Sequence, residues 1–128
     1  KVPGGGLVAT AIDLARFAIA VNTGVLLEKE SLEQMWTRQQ TAADRKTLYG
    51  LGWSVRDYDA RRVITHGGGQ AGTSTFLALL PDTGTAVAVM CNLERVPIGN
   101  IAEKIFVVLM PLPEEPAGNE SQPPGAQP

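Results

Sequence analysis

Few residues in this chain have side chains suited to chemistry, and their spacing limits what they could do. His66 is the only histidine and Cys91 the only cysteine. His66 lies in "THGGGQAGTS", residues 65–74, which admits three functional readings. Gly67, Gly69 and Gly72 fit the dinucleotide pattern G-x-G-x-x-G. Gly67 to Ser74 also approximates a phosphate-binding P-loop, with Thr73 where the lysine should stand. The third reading is a strand at the edge of an active site, where glycines let a substrate approach the backbone. The plain alternative is a structural bend, since glycines inside strands often mark bulges.

Cys91 cannot form an internal disulfide, and one cysteine with one histidine cannot close a metal shell. It is expected to be a small buried apolar group. No metal or cofactor is expected. The compartment is left open, because a single thiol argues neither way.

The elements around the glycines decide among the readings. Thr10 can cap a helix, with Asp13 three residues on completing a capping box. Leu14, Phe17, Ala18 and Val21 then give one apolar face, and Gly24 suits a left-handed stop. A second short helix is expected from Ser31, paired with Gln34 as a capping box, with Leu32, Met35 and Trp36 on one face. Residues 37–48 read as a surface connection.

From Tyr49 the period changes to that of a strand. "LGWSV" (51–55) alternates Leu51, Trp53 and Val55 against Gly52 and Ser54. "DYDA" (57–60) turns the chain into "RRVITH" (61–66). "PDTG" (81–84) links strands 74–80 and 85–92 as a hairpin. The last strand is apolar on both sides, which predicts cover on both faces and a place inside the sheet. Pro97 opens a helix whose stripe is Ile98, Ile101, Ala102, Ile105 and Leu109, ended by Pro111 and Pro113.

The expected fold is α+β: an antiparallel sheet of about four strands with helices packed on it, over residues 1–110. Residues 111–128 are Pro-rich and low in apolar content, and are expected to be a disordered tail. Because a strand rather than a helix follows the glycines, no helix N-terminus faces a phosphate there, and both nucleotide readings fail.

Composition excludes further classes. The 128 residues make about one domain, and 11 basic against 13 acidic side chains give a net charge of −2. No basic surface for nucleic acid is evident. The apolar run "KIFVVLM" falls far short of the roughly 20 residues that cross a bilayer. A small-molecule or peptide substrate fits better.

"THGGGQAGTSTFLALLPDTGTAVAVMCN" resembles the third-motif strand and following hairpin of the serine β-lactamase and penicillin-binding-protein superfamily. It is most like the class C β-lactamase-related branch, which also holds esterases and D-aminopeptidases. "GGGLVATAIDLARFAIAV" resembles that family's glycine turn and helix, "YGLGWSV" its preceding strand and "VPIGNIAEKIFVVL" its C-terminal helix. The likeness runs from about Gly4 to Met110 and implies an incomplete β-lactamase/transpeptidase-like fold.

The resemblance places His66-Gly67-Gly68 at the family's Lys-Thr-Gly or His-x-Gly triplet. It makes the Gly69 N–H one of two oxyanion-hole donors and sets Gly67, Gly68 and Gln70 against substrate. His66 stands where many relatives have lysine. An ordinary imidazole, with a pKa of about 6.5, is mostly neutral at neutral pH and holds a carboxylate less firmly than lysine. That favours esters or peptides over a penicillin-type substrate.

The family nucleophile sits in Ser-x-x-Lys, which occurs nowhere in this sequence. The second motif, Tyr-x-Asn or Ser-x-Asn, is also absent. Both would lie upstream, so the chain is expected to be the C-terminal portion of a longer serine hydrolase and inactive alone. Without the rest of its domain, self-association is expected. The reading from a different class is a non-catalytic binding or assembly module on the same fold.

Overall fold

Thr10 starts the first helix through the reciprocal bonds its sequence suggests. The computed structural model describes residues 7–58 and 60–109. In it the Asp13 N–H donates to the Thr10 hydroxyl at 3.1 Å, and the Thr10 N–H to the Asp13 carboxylate at 3.2 Å. Helix α1 spans Ala11–Asn22. Gly24, at φ 75°, ends it. The Val25 N–H donates to the Ala20 carbonyl and the Gly24 N–H to the Val21 carbonyl, the paired bonds of a Schellman cap. Ala18 and Val21 are buried as their spacing predicts, but Phe17 is 45% exposed.

Helix α2, Lys29–Met35, begins earlier than expected, with Glu28 as its cap. The Leu32 N–H already closes the first turn on the Glu28 carbonyl at 3.1 Å. Ser31 therefore lies inside the helix, and the Ser31–Gln34 box does not form. The apolar face is as predicted: Leu32 and Trp36 are buried and Met35 packs against them.

Four strands follow: β1 Ser54–Tyr58, β2 Arg61–Gln70, β3 Thr73–Leu80 and β4 Thr85–Cys91. They form one antiparallel sheet in the order β1-β2-β3-β4. The expected strand at 51–55 is shifted. Gly52 takes φ 81°, which breaks the alternation, exposes Leu51 and delays the strand to Ser54. Asp57 and Tyr58 belong to the strand rather than the turn.

Chain alternation sorts the two sheet faces. Ile64, Leu77 and Leu79 meet Ala18, Val21, Leu32, Trp36, Trp53 and Val55 on the side of α1 and α2. Ala78, Leu80 and Val87 meet Ala102 and Phe106 of helix α3, Ile98–Leu109, on the other. Strand β4 is covered by α1 on one face and α3 on the other. Among the described strands, however, it is the last in order and pairs only with β3, not an interior strand. Cys91 is half-buried rather than buried.

The inward row of α3 is Ile98, Ala102 and Phe106, one residue every four. Ile101 is turned off that row, Leu109 sits a full helix length beyond Ile98, and both are exposed. Pro111, Pro113 and the Pro-rich tail lie outside the described residues.

Candidate functional site

Strand β2 carries the glycines without interruption. Its register with β3 runs from Ile64↔Leu79 through His66↔Leu77, Gly67↔Phe76, Gly68↔Thr75 and Gly69↔Ser74 to Gln70↔Thr73 with no extra residue. The structural-bend reading therefore fails. The turn Ala71-Gly72 leads into β3, with Gly72 at φ 73°.

The direction of each amide follows from the neighbouring strand. The Val55 N–H donates to the Leu48 carbonyl at 2.7 Å, and the Val55 carbonyl accepts from Arg38 Nε at 2.9 Å. Both Val55 groups thus point away from β2, so Val55↔Ile64 is a non-hydrogen-bonded pair and Ser54↔Thr65 is the bonded one. Alternation then sends the N–H and C=O of Ile64, His66, Gly68 and Gln70 toward β3. Those of Thr65, Gly67 and Gly69 face the β1 side. Strand β1 begins at Ser54, opposite Thr65. Gly67 and Gly69 therefore present their main-chain groups to an edge beyond the end of β1.

Side chains alternate in the other sense. His66, Gly68 and Gln70 share the α1 face, and all three are exposed. Gly67 and Gly69 belong to the α3 face, where with Ser74, Phe76 and residues 94–99 they line a recess of about 500 Å³. A second recess of about 410 Å³ continues along Gly67, Thr65, Val63 and Phe76 to Phe106. The expected site residues thus share one strand segment: strand alternation divides their side-chain positions between its faces, while Gly67, Gly68, Gly69 and Gln70 all border the first recess and His66 does not.

His66 is held from below. Its Nδ1 lies 2.6 Å from the Gly52 carbonyl oxygen and 3.4 Å from the Tyr49 hydroxyl. The edge of its ring meets Trp53, with centroids 6.3 Å apart at 79°. Trp53 is itself fixed: Phe17 stacks on it at 6.5 Å and 12°, and its Nε1 donates to Met35 Sδ at 2.9 Å. The sequence reading missed Tyr49, Gly52 and Trp53 as neighbours of His66. The available signal was the β1–β2 hairpin, which runs residues 49–53 back alongside the strand that carries His66.

Ser74 is the buried polar residue of the sheet. Its hydroxyl donates to the Leu93 carbonyl at 2.8 Å, so it is a structural clamp and not a free nucleophile. Among the described residues no group of His, Cys, Asp or Glu is arranged to hold a metal, and no helix is long and apolar enough to cross a membrane.

The Beta-lactamase family model matches residues 1–104, and the chain belongs to that family of β-lactamase-like serine hydrolases. It is 26% identical over 144 aligned residues to the serine β-lactamase-like protein LACTB, mitochondrial, of Homo sapiens and of Mus musculus; the alignment covers 82% of this chain. The chain spans only 26% of the length of those relatives.

Two solved structures share the fold. A D-stereospecific amidohydrolase from Streptomyces sp. superposes with a TM-score of 0.54 at 32% identity, over 65% of this chain and 25% of that one. A D-amino acid amidase from Ochrobactrum anthropi SV3, complexed with D-phenylalanine, gives 0.55 at 20% identity, over 76% and 34%.

Proposed function

We propose that this chain supplies the third-motif strand of an acyl-transferring serine hydrolase, with the Gly69 N–H as one oxyanion donor. The serine would come from a Ser-x-x-Lys segment that this sequence does not contain. The observation that carries the reading is the free edge of β2. Past Thr65, the main-chain groups of Gly67 and Gly69 face outward with no strand beside them among the described residues, next to the exposed His66.

A tetrahedral intermediate needs donors aimed at its oxyanion, and a strand amide already fixed by the sheet requires no reorganisation to serve. The serine oxygen would attack the acyl carbon and expel the substrate's amine or alcohol, which leaves with the proton taken from the serine hydroxyl; water then hydrolyses the acyl-enzyme, releasing the acid and restoring the serine. Gly68, on the face of His66, leaves room for substrate to lie along the strand, with Gln70 at its far end. Substrates of this chemistry are esters, β-lactams and amides of D-amino acids. The amidohydrolase neighbours favour the last.

The test compares this chain with a longer protein that contains it and carries Ser-x-x-Lys and Tyr-x-Asn. Chromogenic esters, a chromogenic β-lactam and D-amino acid anilides are the substrates. Turnover is expected from the longer protein and none from the 128-residue chain. A longer protein with both motifs intact and no turnover on any of the three would refute the reading.

A further inference from the structure

The contacts of His66 carry an inference beyond its position. A carbonyl oxygen can only accept a hydrogen bond, so the short 2.6 Å approach of the Gly52 oxygen requires a hydrogen on Nδ1. In the neutral ring the other nitrogen, Nε2, is then a lone-pair acceptor. The Tyr49 hydroxyl, at 3.4 Å from the same Nδ1, is too distant to do more than share that hydrogen weakly.

Gly52 is not free to turn its carbonyl away. It sits at φ 81°, a left-handed conformation natural to glycine. Its neighbours are tied on both sides: the Leu51 N–H donates to the Met35 carbonyl at 2.9 Å, and the Gly50 N–H to the Trp53 carbonyl at 2.8 Å. The packed Trp53 ring limits the imidazole from beneath.

We propose that the Gly52 carbonyl is a positioning group that holds His66 as its Nδ1–H tautomer, so that the site reads its substrate through an acceptor at Nε2. Resting on the hydrolase reading above, this selects a substrate with a hydrogen-bond donor near the acyl carbon, an ammonium or amide N–H. It disfavours one that places a carboxylate there. A lysine at position 66 would present donors and reverse that preference.

The tautomer is read directly by nitrogen-detected NMR of the 15N-labelled chain, whose single histidine needs no assignment. In the neutral ring, Nδ1 is expected at a protonated and Nε2 at an unprotonated chemical shift. The reverse pattern, or the average of a tautomer mixture, would overturn the proposal. Tyr49→Phe should leave the pattern unchanged; a switch in that variant would assign the role to the hydroxyl and overturn the role of Gly52.

The substrate preference is read in the longer hydrolase, by kcat/KM for a D-amino acid anilide with a free ammonium against its N-succinyl counterpart. The ammonium form is expected to lead by roughly tenfold or more, the scale of one charge-assisted hydrogen bond, and His66→Lys should erase or invert the lead. Equal rates in the unaltered enzyme would overturn this half. Because the spectrum needs no catalysis, failure of the tautomer and failure of the hydrolase reading are seen separately.

Discussion

Proline placed at Gly69 and at Gly68 should have opposite consequences, although the two residues are adjacent in one strand. The Gly69 N–H faces the open edge past Ser54, so proline removes no ladder bond there. Edge strands tolerate proline on their solvent side, and a φ near −65° lies within the broad extended region. Room is available too, since apart from its chain neighbours the nearest heavy atom to a Cβ at Gly69 would be the Thr73 carbonyl oxygen at 3.6 Å. Gly69→Pro should change stability by no more than about 1 kcal/mol, or about 4 °C in Tm.

Gly68 differs in both respects. Its N–H faces Thr75 across the ladder, and its Cβ would lie 3.0 Å from the Thr75 hydroxyl. Proline there strands the Thr75 carbonyl at about 1–3 kcal/mol and adds a clash, lowering Tm by roughly 4–12 °C. Thermal melts followed by circular dichroism distinguish the two. In the longer hydrolase, Gly69→Pro should also lower kcat by about 10²–10³, the usual effect of losing one oxyanion donor. If Gly69→Pro melts as early as Gly68→Pro, the Gly69 amide is engaged within the sheet and the proposed site is wrong.

Three further outcomes are expected. Gly50→Ala should be severely destabilising, because the new Cβ would meet the Met35 carbonyl oxygen at an impossible distance with backbone on both sides. Overpacking of that kind costs about 1–3 kcal/mol or more, visible as a lower denaturant midpoint. The Asp13 carboxyl is held below the ordinary aspartate range by its bonds from the Thr10 hydroxyl and N–H, with Arg16 assisting. Its contribution to α1 is therefore complete above the ordinary range and lost as pH falls through the depressed folded value. Carboxyl NMR titration should show Thr10→Ala moving Asp13 back up. Finally, β4 has no partner on its outer side among the described residues, and Val107 and Val108 are exposed on α3. Sedimentation of the chain alone should show self-association; a monodisperse monomer that melts cooperatively would contradict this.

Local chemistry made much of the fold legible. The Thr10–Asp13 box and Gly24 fixed both ends of α1 because each acts within one turn of chain. "PDTG" set the β3–β4 hairpin because turn geometry is a property of a few residues, whereas the Ala71-Gly72 turn between β2 and β3 became evident only in the structure. Ser31 misled because its capping signature is real but competes with Glu28, which closes the turn first. The row along α3 was misjudged at Phe106, since a repeating apolar helix offers more than one face and only the sheet chooses between them. At the site, His66 and the glycines stood out in the sequence. Tyr49, Gly52 and Trp53 did not, because their relation to His66 exists only once the β1–β2 pairing brings residues distant in sequence together.

The direction of the Gly69 amide bears on how variation in this strand should be read. A group belonging to the main chain is present whatever side chain is attached to it, so an alanine scan along 66–70 would pass over it and suggest that the position is dispensable. Only changes to the backbone itself, such as an amide-to-ester replacement, or a one-residue slip of β2 against its neighbours, would silence it. The information is stored in register, and a single insertion in the β1–β2 turn would threaten it more than most substitutions on the strand.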